Sequence, residues 1–354
     1  MISTSLNLSG WFFISPNSTP SCIMTPLIRL TFTENYDNGM MSTSYKKEVF
    51  TLNIVIMGAG ALGCYFGGRL QQTGQDVQFL VRKSRAKQLK ENGISITSPH
   101  GNYQFNELHI SENVHDIEKA DLVILAVKGQ HLQGTLADLK VLVNKGAKVL
   151  PLLNGLEHIS ILQAALGEEA VMGGSAFIIA TLDEKGHVIH SHHNHDLVYG
   201  ALHPSQAKVC EEFEQAAKSA IMTVNKTDNI LIRMWLKYMF ITAFSGVTTA
   251  SNLPIGTIRS FPETNGLLEN SLIEMMELAN AYDIGLTRQN VAQGMENMAV
   301  LPEESTSSMH QDRRKGLTLE VEHLQGGALR LADKVGLKLP VIGALYALIK
   351  PFEN

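Results

Sequence analysis

The chain has 354 residues, of which 44% are hydrophobic and 18% are charged. This length predicts two domains of about 100–200 residues each, and the composition excludes a wholly disordered protein. The formal net charge of -5 argues against binding to duplex nucleic acid, which needs a basic face.

The sequence also predicts a soluble protein in a reducing compartment. The most apolar stretch, residues 230–250, contains Arg233 and Lys237, so we interpret it as a buried helix rather than a membrane span. The three cysteines lie far apart and form neither a CxxC metal clip nor a disulfide framework, which predicts a cytoplasmic location. They are Cys22, Cys64 and Cys210.

Residues 1–50 differ in composition from the rest of the chain. They are rich in Ser, Thr and Asn, and the first cation, Arg29, follows the apolar residues 11–14. A signal peptide carries its basic residues before its apolar core. We therefore predict a disordered extension, or a start of translation near Met40 or Met41 that would make this segment spurious.

A glycine-rich turn follows the first predicted strand, residues 52–57, which is short, apolar and β-branched. The turn reads GxGxxG and precedes helical sequence; its residues are Gly58, Ala59, Gly60, Ala61, Leu62 and Gly63. Gly58 permits a tight turn, Gly60 lets the backbone approach a pyrophosphate, and Gly63 lets helix and strand pack closely. Because the helix N-terminus also offers free N–H groups to phosphates, the motif predicts dinucleotide binding.

The second predicted strand, residues 77–81, ends at basic residues. NAD enzymes usually carry Asp or Glu there, to bind the ribose 2′-OH, whereas this chain has Arg82 and Lys83, with Arg85 close behind. A guanidinium can bind the 2′-phosphate that a carboxylate would repel. We therefore predict NADP(H) rather than NAD(H); a solvated basic loop is the alternative.

Two further predicted strands each end at a polar residue. Residues 121–127 are followed by Lys128, and residues 147–153 are followed by Asn154. Ligands of open α/β sheets bind beyond the carboxyl ends of the strands. Lys128 and Asn154 are therefore candidate contacts to cofactor or substrate, with a turn or capping role as the alternative.

Residues 170–202 predict a β-meander, in which residues 187–192 and 196–199 are short paired strands around a turn at His193-Asn194. The histidines of this segment invite a zinc hypothesis, but no cysteine or suitably spaced carboxylate supports a site. We predict solvated hairpin histidines and no metal. The histidines are His187, His190, His192, His193 and His195.

From about residue 227 the sequence predicts helices only. The predicted helices cover residues 230–250, 265–283 and 306–331, and Gly285, Gly336 and Pro340 are read as helix stops. On the last of these helices, Ser308, Asp312 and Glu320 would lie on one general side. A capping role for Ser307 and Ser308 and a solvated position for Glu320 are the alternatives.

Lys237 stands among the bulky apolar residues 234–240. Burial disfavours an ammonium and lowers its pKa, which brings a lysine towards the range useful for general acid–base catalysis. The alternative is a lysine whose stem packs while its charged head reaches water. The polar residues 307–312 and Glu320 favour the catalytic interpretation.

Together these motifs resemble the ketopantoate reductase (2-dehydropantoate 2-reductase) family, from Leu52 almost to the C-terminus. The matching segments, in chain order, are GAGALG at 58–63, Arg82, AVK ending at Lys128, LLNG with Asn154, W-x-K ending at Lys237, SSM-x-QD at 307–312, and Glu320. The resemblance implies an α/β fold: a Rossmann-type NADP-binding domain at 51–226, then an all-helical substrate and catalytic domain at 227–354. This architecture is like that of 6-phosphogluconate dehydrogenase.

The resemblance also implies an activity and roles for single residues. The activity is the NADPH-dependent reduction of 2-dehydropantoate to (R)-pantoate, in pantothenate and coenzyme A biosynthesis. The apolar helices of the second domain permit a homodimer without requiring one, so we expect a monomer or homodimer. Lys237 matches the proton donor to the substrate, and Glu320 matches a residue near the nicotinamide ribose that organises the lysine. The other matches are contacts: Asn154 to nicotinamide and substrate, Ser308 to substrate, and Lys128 and Arg82 to NADPH.

Three positions depart from the family pattern, which commonly has asparagines four and eight residues after the lysine and at one later position. This chain has Ile241, Ser245 and Ile255 there, and Ser245 remains a candidate substrate contact. Loss of amide donors weakens recognition of a hydroxylated acid. Two further hypotheses follow: a paralogue that reduces another, more apolar 2-oxo acid, and a catalytically silent NADP-binding module.

Overall fold

The computed structural model describes residues 51–105 and 107–353, together with the backbone of residues 30–37 and 40–47. Strands β1 (Leu30–Asp37) and β2 (Met40–Lys47) pair antiparallel, a pair that the sequence did not predict. The rest of the N-terminal fifty residues lies outside the described residues, so the predicted extension stays a prediction.

A five-stranded parallel sheet forms the centre of the first domain, in the order β7-β4-β3-β8-β9. β8 is buried along its whole length, as an apolar strand covered on both faces should be. The four predicted parallel strands are confirmed as β3, β4, β8 and β9. The strands after β2 are β3 (Asn53–Met57), β4 (Asp76–Leu80), β5 (Ile94–Thr97), β6 (Tyr103–Phe105), β7 (His109–Ser111), β8 (Leu122–Leu125), β9 (Lys148–Pro151), β10 (Gly173–Leu182), β11 (Val188–Gly200) and β12 (Thr223–Lys226).

The helices of the first domain alternate with these strands, as expected for a doubly wound α/β fold. They are α1 (Ala61–Gln71), α2 (Lys83–Asn92), α3 (Leu136–Asn144), α4 (Glu157–Leu166) and α5 (Ala207–Ala217). The predicted Rossmann-type domain is thereby confirmed.

The second sheet corrects the predicted meander. β10 pairs with β11, and β11 is one strand rather than two short strands around a turn at His193-Asn194. The chain instead reverses at residues 183–187, where Gly186 has a φ of +84° and Asp183 accepts a hydrogen bond from the His187 N–H. β11 contains a bulge at residues 191–194. The bulge interrupts the alternation of side chains between the two faces of the strand. In the sequence, this interruption resembled the turn of a hairpin.

The prediction of solvated histidines is wrong for His190 and His195, which are 2% and 7% exposed. The Tyr65 hydroxyl lies 2.7 Å from Nδ1 of His195, whose ring stacks on His100 at a centroid distance of 3.8 Å. Burial is the main cause that lowers the pKa of His195, to about 4. Among the described residues, no three His, Cys, Asp or Glu side chains are arranged to hold a metal ion.

The second domain is built around one long helix, α6, which packs against α8, α10 and α12. By length and composition α6 could cross a membrane, but 67% of its most apolar window is buried inside the protein. From residue 230 to residue 352 every described element is helical, which confirms the predicted helical domain. The helices are α6 (Ile230–Ser251), α7 (Ile255–Ser260), α8 (Pro262–Asn280), α9 (Arg288–Ala299), α10 (Ser308–Arg314), α11 (Gln325–Lys334) and α12 (Pro340–Ile349).

The predicted helix over residues 306–331 is wrong. α10 ends at Arg314, Gly316 follows with a φ of +64°, and α11 begins only at Gln325. Glu320 therefore lies in the segment between two helices and not on one helix face with Ser308 and Asp312. Pro340 was also misread: it begins α12, because its fixed φ suits the first position of a helix.

Candidate active site

The glycine turn between β3 and α1 leaves open space where a phosphate would bind. Gly58 has a φ of +102°, and a Cβ atom added there would lie 2.8 Å from the Ala126 backbone. A Cβ on Gly63 would overlap the carbonyl oxygen of Gly58, whereas a Cβ on Gly60 would meet nothing within 4 Å among the described residues. The turn is therefore tight on its inner side and open in front of Gly60.

The start of α1 fits an anion. Gly60 is its N-cap and supplies no side-chain hydrogen bond, so the described residues leave N–H groups of the first turn, from Ala61 and Leu62 onward, for a ligand. The Arg85 guanidinium stabilises this turn. Its Nε donates to the Ala59 carbonyl at 2.8 Å, and its Nη2 donates to the Gly186 carbonyl at 3.0 Å. The residues present thus fit the pyrophosphate of a dinucleotide.

Basic side chains cluster at the carboxyl edge of the parallel sheet. Arg82 is exposed directly after β4, and Lys128 is exposed just after β8. Burial lowers the pKa of His131, and the charges of Arg82 and Lys128 lower it further, so the three side chains share one electrostatic environment. The sequence interpretation missed His131, although it lies only three residues after Lys128.

The helical domain packs directly on the loops that follow β8 and β9. Nζ of Lys128 donates to Oδ2 of Asp312 at 3.1 Å. A Cβ on Gly129 would overlap the ring of His323, and a Cβ on Gly155 would overlap the His323 carbonyl oxygen. Glycine is required at both positions because the two domains approach so closely.

Asn154 and Glu320 meet at this junction. Nδ2 of Asn154 donates to Oε2 of Glu320 at 3.0 Å. One residue follows a strand of the first domain, and the other lies in the segment between α10 and α11. The structure thus joins two predicted site residues that are far apart in the sequence.

Lys237 lies beside this pair on α6. Its side chain is buried, at 9% exposure, and its Nζ donates to the carbonyl of Ala176 at 2.7 Å. Burial lowers the pKa of Lys237 to about 8, against the opposing effect of the Glu320 charge. The alternative of a lysine head in solvent is therefore wrong.

A small cavity of about 10 Å³ contains Lys237, with room for about one water molecule. Its wall combines polar side chains with apolar ones from β10, α6 and the segment after β9. The lining residues are Leu153, Asn154, Gly155, Gly174, Ser175, Met234, Lys237, Tyr238 and Ile241.

The two predicted serines lie elsewhere. Ser245 is fully buried two turns after Lys237, and the described residues offer its Oγ no hydrogen-bond partner. Ser308 is exposed at the start of α10, and the capping side chain there is that of Ser307, which accepts from the His310 N–H at 3.1 Å. Neither serine lines the cavity, and their substrate contacts stay predictions.

Two buried polar residues of this region were missed. Ser175 lines the cavity within an apolar strand, and His158 lies in the first turn of α4. Burial, followed by the charges of Lys237 and His323, lowers the pKa of His158 to about 3. A polar residue inside an otherwise buried run was the available signal in both cases.

From the geometry of the glycine turn, we predict that two glycine-to-alanine substitutions affect different properties of the protein. We expect Gly60→Ala to keep the wild-type free energy of unfolding and to weaken dinucleotide binding by about tenfold or more, because the new methyl group enters the open space. We expect Gly63→Ala to lower the free energy of unfolding by about 1–3 kcal/mol, because it overpacks the turn. Urea unfolding and fluorescence titration with NADPH measure the two effects; equal behaviour of both variants would contradict these assignments.

Comparison with known proteins agrees with this geometry. The family model for ketopantoate reductase PanE/ApbA matches residues 54–204, and its C-terminal counterpart matches residues 229–353. A protein of Bacillus subtilis (strain 168) named as an uncharacterized oxidoreductase is 31% identical over 302 residues, covering 85% of this chain and 99% of its own length.

Solved structures share the fold. The 2-dehydropantoate 2-reductase of Geobacter metallireducens GS-15 is 27% identical with a TM-score of 0.77, covering 85% of this chain and 99% of its own. A D-mandelate dehydrogenase, solved with NADH and anilino(oxo)acetate, is 23% identical with a TM-score of 0.74, covering 84% and 97%; at that identity the likeness shows the fold alone. From the two family models and the Bacillus subtilis relative, we conclude that the chain belongs to the ketopantoate reductase family of oxidoreductases.

Proposed function

We propose that this chain reduces 2-dehydropantoate to (R)-pantoate with NADPH, in the cytoplasm, as a step of pantothenate and coenzyme A biosynthesis. The observation that carries the proposal is the buried ammonium of Lys237, in one cavity with Asn154 and close to the carboxyl edge of a dinucleotide-binding sheet. Membership of the family supports the reaction class.

The glycine turn and the basic edge residues would hold the cofactor. N–H groups at the start of α1 would bind its pyrophosphate, and Arg82, with Lys128 nearby, would bind a 2′-phosphate. When bound, the reduced nicotinamide supplies the hydride that adds to the C2 carbonyl of the substrate. The chain's own residues orient the reactants and provide the proton.

Lys237 would act as the general acid. Negative charge develops on the C2 oxygen during reduction, and an adjacent ammonium stabilises that charge before it transfers its proton. The result is a 2-hydroxy acid and a neutral lysine amine. A pKa of about 8 suits this task, since the group is protonated at neutral pH and releases its proton more readily than an ordinary lysine.

Glu320 and Asn154 would position the reactants. The Glu320 charge favours the ammonium form of Lys237, so it keeps the acid charged between turnovers. The hydrogen bond between Asn154 and Glu320 would hold both side chains beside the nicotinamide of a bound cofactor. Glu320 is thus proposed as a partner of the lysine, as the family resemblance implies.

Replacing Lys237 tests the reaction. We expect Lys237→Met to lower kcat by about 100-fold or more, measured as NADPH oxidation at 340 nm with 2-dehydropantoate, while the Kd for NADPH changes little. Wild-type kcat/KM should fall as pH rises through about 8, because the acid must be protonated.

The control for this experiment is Lys334→Met, which removes an exposed lysine of α11 and should leave the rate unchanged. Wild-type turnover by Lys237→Met would refute the role of the lysine.

Replacing Arg82 tests the cofactor preference. We expect Arg82→Gln to raise the KM for NADPH by about 10- to 100-fold, as for a lost charge-assisted hydrogen bond, and to leave the KM for NADH nearly unchanged. Lys87→Gln, which removes another exposed cation of α2, is the matched control. A similar rise in the KM values for NADPH and NADH would argue against a contact between Arg82 and the 2′-phosphate.

A second candidate function is reduction of a different, more apolar 2-oxo acid. It is favoured by Ile241, which lines the Lys237 cavity beside Met234 and Leu153 and offers no hydrogen bond to a substrate hydroxyl. A catalytically silent NADP-binding module is the third hypothesis. Any multiple-turnover reduction by the protein would exclude it.

A substrate panel separates the two enzymatic candidates. If the second is correct, an aliphatic 2-oxo acid without a hydroxyl group should exceed 2-dehydropantoate in kcat/KM by about tenfold or more. Ile241→Asn should then shift the preference towards 2-dehydropantoate, and Ile241→Leu, the apolar control, should not. A kcat/KM for 2-dehydropantoate close to the highest in the panel would rule out the second candidate function.

A further inference from the structure

Ser175 carries a buried hydroxyl group inside the Lys237 cavity. Its side chain is 3% exposed, and among the described residues its Oγ has no hydrogen-bond partner. Burying an unpaired hydroxyl destabilises a fold, so a group of this kind calls for an explanation, such as a catalytic role.

The backbone holds this hydroxyl in place. Ser175 pairs with Val198 in the β10–β11 ladder. At Gly174, an added Cβ would lie 2.6 Å from the carbonyl oxygen of Pro151, so β10 is pressed closely against the end of β9. The ladder and this close contact fix the backbone of Ser175, so its Cα–Cβ bond keeps its direction towards the cavity.

The other polar side chains of the cavity wall already have partners. Asn154 donates to Glu320 at 3.0 Å, Lys237 donates to the Ala176 carbonyl at 2.7 Å, and the Tyr238 hydroxyl donates to the Leu324 carbonyl at 2.7 Å. Ser175 precedes Ala176, whose carbonyl binds the lysine, so one segment of β10 places a hydroxyl at the cavity and also holds the ammonium of Lys237. The Ser175 hydroxyl, which has no partner within the described part of the chain, is therefore available to a ligand that reaches Lys237.

We propose that Ser175 is a further catalytic residue, whose hydroxyl donates a hydrogen bond to the C2 oxygen of the 2-oxo acid. This inference rests on the proposed function. As C2 accepts the hydride, the π electrons of the carbonyl move to oxygen; Lys237 then gives that oxygen a proton and becomes a neutral amine. Ser175 keeps its own proton and stabilises the developing negative charge, so its hydrogen bond is strongest in the transition state.

Truncation of the hydroxyl tests this role. We expect Ser175→Ala to lower kcat by about 100-fold, as for loss of one oxyanion donor, with the KM for the 2-oxo acid within about twofold of wild type. Ser175→Thr, which retains a hydroxyl, should recover part of the rate. The urea midpoint of Ser175→Ala should equal or exceed that of wild type, because the lost hydroxyl has no partner within the described part of the fold.

The matched control is Thr249→Val. The Thr249 hydroxyl is also fully buried and has no partner among residues 51–105 and 107–353, but it lies outside the cavity, so we expect wild-type kinetics. An unchanged kcat in Ser175→Ala, or a raised KM alone, would overturn the proposal; so would a kcat loss accompanied by a lower urea midpoint. A wild-type protein inactive on the whole substrate panel would instead refute the proposed function, on which this role depends.

Discussion

The arrangement of the candidate site depends on one buried ammonium group. Transfer of an unpaired ammonium out of water costs several kcal/mol, so Lys237 requires compensation inside the protein. The carbonyl of Ala176 accepts a hydrogen bond from its Nζ at 2.7 Å, the ring centroid of Phe177 lies 5.1 Å from Nζ, and Glu320 adds an opposite charge. These partners offset only part of the desolvation, which is why the pKa of the lysine remains below its ordinary value.

The partners of Lys237 come from both domains, and so do the contacts around them. Lys128 pairs with Asp312, Asn154 with Glu320, and Glu157 with Arg330 at 2.7 Å. In each pair the first residue follows a strand of the parallel sheet, and the second belongs to the helical domain. The helical domain therefore covers the sheet edge where open α/β folds bind ligands.

Much of the first domain followed from local sequence. Apolar β-branched runs predicted the parallel strands because both faces of each strand are buried. The spacing of Gly58, Gly60 and Gly63 predicted the turn because each of these positions has its own steric reason for lacking a side chain. The strands and the turn depend on residues close together in the chain. For Lys237, the apolar neighbours on α6 left two interpretations open, and the distant residues 307–312 and Glu320 favoured the catalytic one.

Features set by distant contacts were less predictable. The bulge in β11 and the burial of His190 and His195 depend on packing against Tyr65 and His100, which lie about 90 to 130 residues earlier in the chain. The break between α10 and α11 was missed because only Gly316 marks it locally.

The sequence by itself determined the glycine turn, four of the five strands of the parallel sheet, and a lysine within an apolar helix, because steric and hydrophobic preferences act over a few neighbouring residues. Only the tertiary structure decided that Glu320 meets Asn154 from a loop, that Asp312 pairs with Lys128, and that the Ser175 hydroxyl, without a partner among the described residues, lines one cavity with the lysine. Those contacts join residues more than 60 positions apart, and no local pattern encodes such a distance. They exist because one hydrophobic core runs from the parallel sheet into the helical domain and brings the polar residues at this junction together.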